Sequence, residues 1–141
     1  MAPQFLVLTA LVLRSIVVAL SFWQDRRATK AAPPAGKVIS TSEGPIHLVK
    51  RGADNSEKLP VVLLHGSFTN ALDIDLDLAA ALAKERRVFL PDRPGHGFSP
   101  RQAESQRLES QVAAMREAVR QQGAERYVVS GQSYGAAAAL V

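Results

Sequence analysis

The sequence predicts an α/β protein built on a parallel sheet, preceded by one hydrophobic helix. Three observations predict it. Residues 5–23 form an apolar stretch with a single charge. Short apolar runs recur at Val61–Leu64, Val88–Leu90 and Tyr127–Ser130. Continuous runs of this kind, followed by turn residues, mark strands buried on both faces. Segments of helical character separate the runs, and strand–helix alternation implies parallel strands joined by right-handed crossovers.

Length and composition set the outer bounds. A chain of 141 residues has the length of one domain. Arg14, Arg26, Arg27 and Lys30 against Asp25 put most of the formal net charge of +4 in the first 36 residues. The rest carries no clustered basic face, so no nucleic-acid partner is expected. The absence of cysteine excludes a disulfide framework, thiolate zinc sites and a cysteine nucleophile.

Each element can be read in order. Residues 1–24 form a membrane anchor or signal segment. As a helix, 5–23 spans about 28 Å at ~1.5 Å per residue, close to a bilayer core. Arg14 interrupts it, Trp23 suits an interface, and Arg26 and Arg27 follow at once. A positive n-region is missing, which favours a single-pass anchor in contact with the lipid bilayer over a cleaved signal. Ala19-Leu20-Ser21 keeps cleavage, and a secreted or periplasmic product, as the alternative, and a buried helix of a soluble protein is the third reading. The positive-inside rule places the folded part on the cytoplasmic face. Residues 25–36 read as a Pro/Ala linker that Pro33-Pro34 closes to helix. Lys37–Ser42 and Pro45–Val49 form a hairpin around Glu43-Gly44, and a polar loop, Arg51–Leu59, follows. Within Ala71–Lys84 the alternation of Leu72, Ile74, Leu76 and Leu78 with Asp73, Asp75 and Asp77 has strand period. The second half has helix propensity, so the start of that helix stays open. Arg101–Gln122 is the strongest helix, with Leu108, Val112, Met115 and Val119 on one face and Gly123 to end it. Ala136–Leu140 begins another.

The chemistry concentrates at three turns. Val128-Val129-Ser130-Gly131-Gln132-Ser133-Tyr134-Gly135-Ala136 has the form strand, G-x-S-x-G, helix. That form lifts one hydroxyl, Ser133, out of the sheet edge; Gly131 and Gly135 relieve the tight backbone, and the helix start offers N–H groups to a developing oxyanion. His65-Gly66-Ser67 follows the first buried strand and can aim a backbone N–H at the same place. Pro91-Asp92-Arg93-Pro94-Gly95-His96-Gly97 follows the second and is turn chemistry: Gly95 and Gly97 shape the backbone while Asp92 bonds loop N–H groups. His65, Asp92 and His96 read as structural. Asp73-x-Asp75-x-Asp77 imitates a calcium loop but lacks its glycine and final glutamate, and no other spacing, His47 included, suits a metal. Gly95-His96-Gly97 lacks the third glycine of a dinucleotide fingerprint. No metal and no cofactor are expected.

The motifs LLHGS, DRPGHGFS and SGQSYG, in this order, resemble the α/β-hydrolase fold enzymes over roughly residues 37–141. The resemblance implies three layers, a mostly parallel sheet with helices on both faces, in which the strands before HGS, DRPGHG and GQSYG are the third, fourth and fifth. It implies Ser133 as nucleophile, with the backbone N–H groups of Ser67 and Tyr134 as the oxyanion hole. It implies a small-molecule ester or similar acyl substrate and an acyl-enzyme. A serine at 133 argues against the branches that use a carboxylate there, the epoxide hydrolases and haloalkane dehalogenases.

The family places the triad acid and histidine after the nucleophile, and the chain ends eight residues past Ser133. The expectation is therefore a truncated hydrolase domain over 37–141, with the acid and histidine not in this chain, a raw edge at the fifth strand, and no activity by itself. Two alternatives remain: a same-fold enzyme of different chemistry, such as C–C bond hydrolysis or peroxyacid formation, and a non-catalytic, membrane-tethered remnant. Oligomeric state is not readable.

Overall fold

A computed structural model describes residues 3–31, 33–54, 56–102 and 107–141. The chain divides into two compact units, Met1–Pro34 and Ala35–Val141.

The first unit is helix α1 (Pro3–Ala31). Its segment Val7–Ala31 is long and apolar enough, by length and composition, to cross a membrane, with a mean hydropathy of 1.8. The helix runs further than the expected apolar stretch, through residues 25–31 of the expected linker. Two contacts one turn apart support that extension. Arg26 lies over the Phe22 ring at 4.5 Å and Arg27 over the Trp23 ring at 4.4 Å. Residues 1, 2 and 32 of the anchor and linker fall outside the described residues.

The second unit is a five-stranded sheet of order β1-β2-β4-β3-β5, comprising β1 (Lys37–Ile39), β2 (Ile46–Arg51), β3 (Val61–Leu64), β4 (Val88–Pro91) and β5 (Val128–Gly131). Strands β4, β3 and β5 are parallel; β1 pairs antiparallel with β2, and β2 antiparallel with β4. The sheet is therefore mixed. The turn at Thr41–Gly44 closes the first hairpin, whereas the later strands need helical crossovers to stay parallel.

Strand alternation sorts the core into two layers. Ile46, Leu48, Val62, Leu64 and Phe89 face helices α4 (Leu108–Arg120) and α5 (Tyr134–Ala139), against Met115, Ala118, Val119 and Ala138. Val49, Val61, Leu63, Val88 and Leu90 face the other side, against Ala71 and Ala79. Helix α4 buries Met115 and Val119 and half-buries Leu108 and Val112. Of its expected start, residues 103–106 lie outside the described residues, as does residue 55 of the polar loop.

The ambiguous segment after β3 is helical throughout: α2 (Ala71–Ile74), a π turn (Asp75–Ala79) and α3 (Ala80–Leu82). Local chemistry overrides the strand-period pattern. Asn70 accepts the Leu72 N–H at 2.8 Å and donates its own N–H to Asp73 at 2.8 Å, a reciprocal cap that starts a helix. Asp75 is then drawn into a two-pronged ion pair with Arg51. Leu76 and Leu78 are left exposed, while Ala71 and Ala79 meet the sheet.

One expectation is corrected. The run ending in Ser130 is not buried on both faces. Strand β5 lies at the sheet edge with only β3 beside it, and Val128 and Val129 are 48% and 37% exposed.

Phe89 is completely buried at the centre of β4. Phe89→Ala is expected to destabilise the fold by about 3–5 kcal/mol, read as a lower urea midpoint at unchanged slope.

Candidate active site

The parallel strands end side by side, and the loops that leave them build the site. β5 turns into α5 through Gln132 and Ser133. Ser133 has φ 54° and ψ −120°, and is the one non-glycine residue with positive φ among those described. Such a conformation is strained for a residue with a Cβ, by roughly 1–3 kcal/mol. The neighbours make it obligatory. A Cβ on Gly131 would meet the Gly135 carbonyl oxygen at 2.1 Å, and one on Gly135 would meet the Leu64 carbonyl oxygen at 2.2 Å. Strand, turn and helix are thus pressed together, and Ser133 is left exposed at the apex. Helix α5 starts directly behind it, at Tyr134 rather than at Ala136 as the sequence suggested.

The loop after β3 lies against this turn. A methyl group on Gly66 would contact Ser133 Cβ and the Gln132 carbonyl oxygen at 3.5 Å. Among the described residues, neither the Ser67 N–H nor the Tyr134 N–H donates to a protein acceptor. The structure therefore brings Ser133, Gly66, Ser67 and Tyr134 together, with two backbone donors uncommitted.

The three histidines are engaged elsewhere. His65 is buried; its Nδ1 donates to the Gly66 carbonyl at 2.9 Å and its Nε2 accepts the Arg93 N–H at 2.9 Å. Burial pushes its pKa down, nearby Arg93 and His96 add to that, and the Gly66 carbonyl opposes it. The ring is held neutral with both nitrogens used. His96 donates from Nε2 to the Ser67 carbonyl at 2.8 Å. His47 Nδ1 donates to Asp92 Oδ2 at 2.8 Å, and its ring meets Phe98 edge-on at 5.2 Å.

Asp92 is buried and accepts from three separate segments: His47 on β2, the Ala71 N–H at 2.7 Å at the start of α2, and the Phe98 N–H at 3.0 Å in its own loop. Burial alone would raise its pKa. The hydrogen bonds from His47, Phe98 and Ala71 outweigh burial and hold the carboxyl below its ordinary range. Gly97 closes the loop so tightly that the Asp92 carboxylate fills the space a Cβ would need, and Gly95 turns the chain at φ 79°. Ser99 completes the knot, accepting the His47 N–H at 2.8 Å and donating to the Asp92 carbonyl at 2.7 Å.

Sequence reasoning missed His47, Ser99 and the Arg93 side chain. His47 carried one signal, a lone histidine among the apolar residues Ile46, Leu48 and Val49 of a strand. Its partner lies 45 residues away and follows only from the β2–β4 register.

Residues 61–141 match the family model described as the Alpha/beta hydrolase family. No curated protein matches in sequence. Among solved structures, the chain is similar to an alpha/beta hydrolase from Sphaerobacter thermophilus, with 27% identity and a TM-score of 0.63 over 74% of this chain and 38% of that one. It is similar to an epoxide hydrolase from an endophytic Streptomyces, with 28% identity and a TM-score of 0.62 over 75% of this chain and 33% of that one. It is also similar to a mutant N-acyl homoserine lactonase in complex with N-hexanoyl homoserine lactone, with 29% identity and a TM-score of 0.58 over 67% and 35%. The chain thus spans about a third of the length of each of these structures.

The Asp92 network makes stability depend on acid in a defined direction. A depressed carboxyl pKa contributes stability that is fully present above the unfolded value, about 3.9, and is lost as pH falls through the lower folded value. Asp92→Asn is therefore expected to destabilise strongly at neutral pH and less near about pH 2. Urea titrations of both proteins at the two pH values check this; an equal gap at both would contradict it.

Proposed function

This chain belongs to the Alpha/beta hydrolase family, and from that premise we propose that it carries the nucleophile and oxyanion hole of a serine hydrolase acting on an ester or similar acyl carbonyl. The observation that carries the reading is the strained, exposed Ser133 between β5 and α5, faced by Gly66. Ser133 Oγ attacks the carbonyl carbon, and the Ser67 and Tyr134 N–H groups receive the negative charge that develops on its oxygen. Collapse of that intermediate expels the alcohol and leaves an acyl-serine, which water then hydrolyses.

The proton on Ser133 needs a base. His65 has both ring nitrogens committed, His96 Nε2 is bonded to the Ser67 carbonyl, and His47 is tied to Asp92. On this reading, base and acid come from a segment outside these residues, in keeping with the share of the matched structures that the chain spans. The likeness to an epoxide hydrolase is one of fold; a hydroxyl rather than a carboxylate at the apex favours acyl chemistry. C–C bond hydrolysis or peroxyacid formation would use the same apex and differ in the substrate pocket. A non-catalytic tethered remnant is the competing account.

Turnover and fast phosphonylation both need the base, whereas the hydroxyl and its two donors, with water taking the proton, sustain only a slow residual phosphonylation. Purified in detergent, the 141-residue chain is expected to hydrolyse p-nitrophenyl acetate no faster than its Ser133→Ala variant. It is expected to take up one fluorophosphonate label slowly at Ser133, located by mass spectrometry and absent from Ser133→Ala. Ser133-dependent turnover would hand the role of base to His65 or His96; a protein that never takes the label would contradict the nucleophile.

We further propose that α1 is an uncleaved anchor with the hydrolase part on the cytoplasmic face. The product is then expected to stay in the membrane pellet after alkaline carbonate washing, with Met1–Trp23 intact. A product starting just after Ser21 would show a cleaved signal instead.

A further inference from the structure

We propose that Arg93 is the positioning residue of the oxyanion site, one guanidinium that fixes the backbone on both sides of Ser133. Its catalytic meaning rests on the reading of Ser133 as nucleophile; its geometry does not.

Arg93 is only 3% exposed. A buried guanidinium ordinarily sits against a carboxylate, because an unpaired buried charge is strongly unfavourable. Among the described residues no Asp or Glu forms an ion pair with Arg93. Its partners are instead neutral groups of the site. It donates to the Gly66 carbonyl at 2.8 Å and to Gln111 Oε1 at 3.4 Å. The Arg93 N–H in turn donates to His65, whose other nitrogen holds the same Gly66 carbonyl. On its far side the guanidinium lies over the Tyr134 ring, 4.4 Å from the centroid.

Peptide geometry turns these contacts into aim. In a trans peptide the carbonyl and the following N–H point in opposite directions. Pinning the Gly66 oxygen toward Arg93 therefore fixes the Ser67 N–H to point away from it. The same guanidinium, stacked on Tyr134, holds the residue whose N–H opens α5. The two proposed oxyanion donors come from loops 67 residues apart in sequence, and Arg93 is the side chain that touches both residue pairs.

The test uses the full chain in detergent micelles, with two readouts: backbone amide order parameters from NMR relaxation, and the rate of Ser133 phosphonylation by a fluorophosphonate. Arg93→Met is expected to lower the order parameters of residues 66–68 and 133–135 from the rigid range, about 0.85, to below about 0.6, leave the β3–β4 ladder unchanged, and slow labelling roughly tenfold. Arg93→Lys, which keeps the charge but not the planar fork, is expected to behave like Arg93→Met in order parameters. Tyr134→Leu keeps Arg93 and every backbone donor and is expected to loosen 133–135 alone. It decides the matter if Arg93→Met fails to fold. Unchanged order parameters at both loops, or a loss spread evenly over the sheet, overturns the proposal. A wild-type chain that is never labelled removes the nucleophile reading, while the order parameters still decide on Arg93.

Discussion

The buried carboxylate of Asp92 is the constraint on which the rest of the hydrolase unit depends. A charge with almost no contact with water persists only if its lone pairs are filled. Asp92 fills them from β2, from the start of α2 and from the far end of its own loop. Each donor is thereby fixed in place. The hairpin strand is locked to the parallel part of the sheet, the first helix is held by its N-terminus, and the loop after β4 is folded into a single shape. Arg93 is the next residue, so its direction follows from the same knot. On the proposal for Arg93, the Gly66–Ser67 loop and the Tyr134 ring take their places from it.

The apex at Ser133 shows the complementary principle. Asp92 stabilises by satisfaction, whereas Ser133 is held against its own preference. The close approach of α5 to β3 and β5, possible only because Gly131 and Gly135 lack side chains, leaves the serine no relaxed alternative. Strain of this kind survives where the surroundings over-determine the backbone. Here they comprise two parallel strands and the helix that packs back on them.

The motif turns were legible in the sequence because glycine, proline and small polar residues encode backbone shape locally. Val61–Leu64 and Val88–Leu90 were legible because unbroken apolar runs have few other destinations. Three things were not. The His47–Asp92 pair and the contact of Arg93 with Tyr134 join residues more than 40 positions apart, and nothing local says which partners meet. The period-two pattern of residues 72–78 pointed to a strand, yet a cap at Asn70 and the Arg51–Asp75 pair decided for a helix with a widened turn. The extension of α1 past Trp23 is accompanied by arginines folding back over aromatic rings one turn earlier, in a segment that composition alone reads as a polar linker.

The conformation of Ser133 bears on the history of the chain. Glycine adopts a positive φ without strain, so a Ser133→Gly change would relax the turn and raise stability. Random substitution in a sequence freed from its chemistry would meet no resistance to that change, and a gain in stability would favour it. The hydroxyl therefore stands where one substitution would relieve the strain, so in the fold as described it is carried at a cost in stability.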